Sequence, residues 1–103
     1  MLFDQAYTEL ELIDRHIRIL NFVVERGPIG ILKLAEETGL QAHKIRYSLR
    51  ILEQNGLIKP SAQGAVVGDR LKEFLETAEM EIEEIKRLTN LIEENGRQIV
   101  HKK

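Results

Sequence analysis

Apolar residues recur along the first quarter of the chain with helical spacing. Ala6, Leu10, Ile13, Ile17, Leu20 and Val24 are separated alternately by four and three positions, which places them on one stripe of a helix. Gly27-Pro28 closes the pattern, and Asp4 stands where an N-cap is expected. A second apolar set, Leu12, Ile19, Phe22 and Val23, lies off that stripe. This helix is therefore apolar on more than one side. Either its own domain buries it broadly, or part of it meets a partner chain.

Ile29-Gly30-Ile31 reads as a very short strand leading into a second helix that ends at Thr38-Gly39, with Gly39 the left-handed residue at its C-terminus. A third helix spans Gln41 to Asn55, with Ile45, Leu49 and Leu52 as its buried stripe, Ser48 a small residue beside them, and Gly56 as its stop. Leu57-Ile58-Lys59-Pro60 and Ala65-Val66-Val67 are short strands joined through Ser61-Ala-Gln-Gly64 into a hairpin. Pro60 is confined to a strand edge or end. A short helix, a glycine turn, a longer basic amphipathic helix and a hairpin follow one another in the order of a helix-turn-helix with a wing. Such an arrangement presents the third helix to a DNA major groove.

The last apolar set is Leu71, Leu75, Ala78, Ile82, Ile85, Thr89 and Ile92, again in steps of four and three. It forms a heptad seam of about three repeats, widened by Phe74, Leu88 and Leu91. The glutamates at 73, 76, 79, 81, 83 and 84 lie mostly off it as a solvated face. A helix from near Asp69 to Asn95-Gly96 would run roughly 40 Å. It either folds back on its own domain or pairs with a second copy. A winged domain is nearly complete without it, which favours a homodimer with the seven seam residues at the interface. The fold expected is mainly α with a small β wing. Residues 1–70 form the winged helix-turn-helix domain, 71–96 a coiled-coil-like dimerisation helix and 97–103 a basic tail.

The balance of 43% hydrophobic and 31% charged residues in a 103-residue chain suits one globular domain with a modest core. The net charge of −2 argues against nucleic acid until it is resolved along the chain. Residues 1–40 sum to −3 and 71–95 to −5, whereas 41–70 carry +3 from Lys44, Arg46, Arg50, Lys59 and Arg70 against Glu53 and Asp69, and 96–103 another +3. The positive block coincides with the third helix and the wing, and placement outweighs the total when charges act over a Debye length of ~8 Å. No apolar run approaches the ~20 residues of a membrane span. The start, Met1-Leu-Phe-Asp, lacks the basic n-region of a signal peptide, and there is no cysteine for a disulfide or a thiolate metal site. A cytoplasmic setting without membrane partners is expected.

Catalytic chemistry has no footing in the pattern. His16, His43 and His101 show no zinc spacing, Ser48 and Ser61 have no adjacent His–Asp pair, and no glycine-rich loop follows a strand. No enzyme activity, metal or cofactor is expected. The outer face of the third helix carries Ala42, His43, Arg46, Tyr47 and Arg50, with Lys44 toward its flank. Arginine can bond guanine O6 and N7 in bidentate fashion. His43 can donate to a base edge or a phosphate, Tyr47 can bond a phosphate or pack on a sugar, and Ala42 permits close approach.

The stretches Gly27-Pro-Ile-Gly-Ile-Leu-Lys-Leu-Ala-Glu-Glu-Thr-Gly-Leu40, His43-Lys-Ile-Arg-Tyr-Ser-Leu-Arg-Ile-Leu-Glu53 and Gly56-Leu-Ile-Lys-Pro60 resemble small archaeal winged helix-turn-helix transcriptional regulators. More broadly, they are similar to the MarR and ArsR-like superfamily. The resemblance covers about residues 15–70. It implies a cytoplasmic regulator that binds double-stranded DNA, usually as a homodimer joined through terminal helices. It also implies reading by the third helix and a minor-groove or backbone contact by the wing. Two positions depart from the pattern. Gly30 stands where relatives often have a hydroxyl that meets a phosphate, and the Ser-Ala-Gln-Gly tip has no basic residue, which leaves Lys59 and Arg70 at the wing base to hold phosphates. Two other functions fit the same fold: a winged helix used for protein–protein assembly, which suits the overall acidity, and a sensor with a small-molecule pocket at a dimer interface. No motif names an effector.

Overall fold

The computed structural model describes residues 1–102. Its elements are α1 (Asp4–Arg26), α2 (Ile31–Thr38), α3 (Ala42–Gln54), β1 (Ile58–Ser61), β2 (Gly64–Val67) and α4 (Leu71–His101). They divide into two units, Met1–Leu71 and the chain from Lys72 onward. The first is a winged helix-turn-helix, with α1 and α2 packed on α3 and a two-stranded wing behind.

The core of this unit is Ile19, Leu20, Val23, Ile29, Leu34, Ile45, Leu52, Leu57 and Ile58, all buried. Each such side chain contributes roughly 1.5–3 kcal/mol by leaving water. On α3 the sealed positions are Ile45, Ser48 and Leu52, with Leu49 half-buried beside them. On α1 the inner face is not the unbroken stripe that the spacing predicts. Leu10, Ile13, Ile17 and Val24 remain exposed, and of that stripe only Leu20 is sealed. Ile19 and Val23, from the second apolar set, face the core, with Leu12 and Phe22 half-buried. The cause is polar: the inward face also holds Arg15 and His16, both half-buried. Its apolar pattern is interrupted where it matters most, and the uninterrupted stripe is the outer one. Asp4 also differs from expectation. It lies inside the first turn, and Phe3 takes the N-cap position.

The turn between α2 and α3 is built by two residues. Thr38 Oγ1 donates to the Leu34 carbonyl at 2.6 Å and accepts from Leu40 N at 3.2 Å. Gly39 follows at φ 73°, its N–H on the Ala35 carbonyl. The wing pairs Ile58 with Val67 through Ser61 with Gly64. Ser61 Oγ closes the two-residue tip by donating to the Gly64 carbonyl at 2.6 Å. Ile29 joins this sheet as an isolated bridge, exchanging two backbone hydrogen bonds with Ala65. Ile31, expected to continue a strand, instead begins α2.

The second unit is α4, which continues through Asn95-Gly96 to His101. The sequence pattern places the helix end at Gly96 and a basic tail at 97–103; the helix instead takes in Arg97 to His101, and Lys103 lies outside the described residues. A glycine inside a helix costs only about 1 kcal/mol. Arg97 reaches back across Gly96 to Glu93 at 3.2 Å, and no proline follows to enforce a stop. The heptad steps then run on through Gly96 to Ile99. Among the described residues no helix is long and apolar enough to cross a membrane.

Two glycines in the winged unit should respond differently to substitution. A Cβ at Gly39 meets nothing within 4 Å, so Gly39→Ala should lose only the conformational preference, on the order of 1 kcal/mol. Gly64 has φ 128°, and its Cβ would fall within 2.6 Å of the Ile29 carbonyl oxygen. Gly64→Ala should therefore separate Ile29 from the wing and lower the denaturation midpoint by clearly more than Gly39→Ala. Equal midpoints for the two variants would contradict this.

Candidate nucleic-acid interface

The glycine turn directs α3 out of the winged unit, and burial of Ile45, Ser48 and Leu52 fixes its rotation. With those three inward, His43, Arg46 and Arg50 project to solvent along one face. Ala42 is half-buried in the first turn. Lys44 sits toward α1, where it lines a shallow groove with Glu11, Leu12, Arg15, Arg18 and Leu40. His43, Arg46 and Arg50 are thus exposed where the spacing expects an outer face, Ala42 is more covered than expected, and Lys44 lies at the edge.

Tyr47 has a more particular setting than an open face. Its side is 38% exposed. The Arg15 guanidinium lies 5.9 Å from its ring centroid and that of Arg50 lies 5.6 Å away, both within cation–π range. The His16 ring stands 5.9 Å off at a 46° tilt. Arg50, though exposed, thus has its guanidinium beside the Tyr47 ring.

Behind Tyr47 is a junction that the spacing of polar residues does not reveal. Ser48 has no exposed surface. Arg15 Nε donates to its Oγ at 3.0 Å, and His16 Nδ1 lies 2.8 Å from the same oxygen. With neutral His16 protonated on Nε2, the serine proton goes to Nδ1, and the three groups form one directed chain from Arg15 on α1 through Ser48 on α3 and back to His16 on α1. Burial, and secondarily the charge of Arg15, hold the His16 pKa below its ordinary value. The only hint of this in the sequence is that Arg15 and His16 fall on the helical register of Leu12, Ile19 and Val23.

The wing base is less positive than its lysine suggests. Lys59 Nζ is 3.4 Å from Asp69 Oδ1, an exposed ion pair. Arg70 is exposed, and its aliphatic stem lies over Gly56, whose carbonyl accepts the Arg70 N–H at 2.9 Å. The tip, Ala62-Gln63, carries no charge. The seam residues Leu75, Ile82, Ile85 and Ile92 are exposed along α4, as is Thr89, with Leu71 and Ala78 half-buried.

Residues 14–59 match the family described as winged helix-turn-helix DNA-binding. The matched segment begins within α1, contains all of α2 and α3, and ends in β1. It therefore holds Arg15, His16 and Ser48 as well as the exposed face of α3. No curated protein matches the chain.

His16 gives this junction a pH dependence whose sign is fixed. The folded protein disfavours the imidazolium, so below about pH 6.5 the unfolded chain takes up a proton that the folded one resists. Stability is fully present above that value. It is lost as pH falls through it toward the depressed folded pKa. The melting temperature should therefore drop between about pH 7.5 and 5.5 by more in the native protein than in His16→Gln. Parallel pH profiles for the two would contradict this role of His16.

Proposed function

We propose that the protein is a cytoplasmic transcriptional regulator that binds duplex DNA sequence-specifically as a homodimer. The fold and the family match support a DNA-binding regulator. The observation that carries the finer reading is the row His43, Arg46 and Arg50, exposed on a helix that the Gly39 turn directs outward. In this reading α3 enters the major groove, Arg46 meets base edges near the middle of the helix, and Lys44, Arg50, Lys59 and Arg70 hold phosphates. The Tyr47 contact favours a backbone role for Arg50, since a guanidinium resting beside the ring is turned toward the helix flank. In a two-fold dimer the two α3 helices lie ~34–36 Å apart, or a multiple of it, to meet successive turns of the duplex.

Arg46→Ala should cost ~1–3 kcal/mol and relax preference at one base pair. Lys44→Ala should weaken all sequences alike and flatten the salt dependence by about 0.9 per phosphate lost, thus roughly two units for a dimer. Lys59 has to leave Asp69 to reach a phosphate, so Asp69→Asn should raise affinity where Lys59→Ala lowers it. The measurement is an electrophoretic shift with genomic fragments at several salt concentrations, followed by footprinting. Binding indifferent to salt, or surviving the joint loss of Arg46 and Arg50, would overturn this mechanism. The reading left ahead would then be a winged helix that assembles with another protein, which the exposed apolar stripe on α1 favours.

The homodimer is assigned to the α4 seam. Ile82→Glu sets a charge in the middle of a largely apolar seam of about three heptads and should convert dimers to monomers in sedimentation equilibrium. A native protein that sediments as a concentration-independent monomer would remove the homodimer from the reading.

A further inference from the structure

α4 carries its seam along its whole length and is sharply divided in its charge. From Leu71 to Glu84 it carries Lys72 against Glu73, Glu76, Glu79, Glu81, Glu83 and Glu84, a net of −5. From Ile85 to His101 it carries Lys86, Arg87 and Arg97 against Glu93 and Glu94, a net of +1. The division falls at Ile85, the middle of a seam that runs from Leu71 to Ile99 in steps of four and three. The seam side chains are open along the length: Leu75 is 60% exposed, Ile82 52%, Ile92 52% and Ile99 64%.

From this division we propose that the occupant of the seam is α4 of a second copy, laid antiparallel and centred near Ile85. This deepens the homodimer reading above and rests on it. A heptad seam fits another heptad seam of the same period, so the apolar residues select a helix of this kind but do not fix its direction. Charge does. Parallel pairing sets the −5 half of one helix along the −5 half of the other, at a separation of ~8–10 Å between axes. That distance is about one Debye length, where repulsion is only partly screened. Antiparallel pairing sets each acidic half along the partner's basic half. The small residues Ala78, Thr89 and Gly96 fall on both sides of the midpoint, so close approach is available along both halves of an antiparallel pair.

The chain has no cysteine, so Glu76→Cys and Glu94→Cys each create a single labelling site on the polar face of α4. The experiment is distance measurement between nitroxides in the full-length protein. Three samples are compared: Glu76→Cys alone, Glu94→Cys alone, and an equimolar mixture of the two, with sedimentation equilibrium on the same preparations. Eighteen positions of helix amount to roughly 27 Å along the axis. In an antiparallel pair the mixed sample should show a new distance shorter than either single-site distance. In a parallel pair the single-site distances are short and the mixed distance is the longest, which would overturn the orientation while leaving the homodimer standing. A dimer with long distances in all three samples would move the interface off α4 and overturn the proposal. Monomers in sedimentation would overturn the homodimer reading itself.

Discussion

A buried hydroxyl left without a partner costs about 1–3 kcal/mol, and Ser48 meets that requirement with two groups from a single neighbouring helix. Arg15 and His16 both reach its Oγ from α1. Apolar contacts between α1 and α3, such as those around Ile19, Val23, Ile45 and Leu52, tolerate small slides, because dispersion and burial have little direction. Two hydrogen bonds to one oxygen do not. A shift of one residue along the axis, about 1.5 Å, breaks both. The junction therefore fixes the register of α3 on α1, and the exposed face of α3 inherits that register. Tyr47 and Arg50 sit one link further along the same chain of contacts.

The wing depends on a second constraint of similar kind. Ile29 bridges to Ala65 only because Gly64 has no side chain where the Ile29 backbone passes. This ties the segment before α2 to the sheet after α3, and α2 is thus held at its start by the wing and at its end by the Thr38–Gly39 turn. α3 is therefore set by α1 through side-chain hydrogen bonds, and by α2 and the wing through contacts that rest largely on backbone hydrogen bonds.

How much of this was legible depended on whether its signal is local. The α2–turn–α3 order could be read because Gly39 is required at its own position by its own φ. The exposed basic face of α3 could be read because Ile45 and Leu52 are apolar at helical spacing and nothing interrupts them. The inner face of α1 could not, since Arg15 and His16 stand in it and their partner lies more than thirty residues away. The same holds for Lys59: spacing shows a basic residue at the wing base, and only the fold places Asp69 beside it. Gly96 misled in the opposite direction, because a glycine is a helix stop only where the chain gains something by turning, and here Arg97 and Glu93 bridge it.

Two apolar stripes lie outside the core of the winged unit, one on α1 and one on α4, and their charges distinguish them. The arginines of α1 are all engaged within the unit: Arg15 on Ser48, Arg18 on Asp14 at 3.2 Å and Arg26 on Glu37 at 2.7 Å. Its outer stripe, through Leu10, Ile13, Ile17 and Val24, thus has apolar surface without a charge pattern to orient a partner. α4 has both. Its ion pairs Lys86–Glu83 and Arg87–Glu84 lie about the midpoint, and the glutamates at 73, 76, 79 and 81 face only Lys72 for compensation in their part of the helix. Exposed ion pairs contribute little to stability, but a whole half-helix of one sign discriminates between orientations, because the unfavourable arrangement repeats the repulsion along its length. In the proposed pair the apolar seam would supply affinity and the charge division direction, and among the described elements α4 carries the two together.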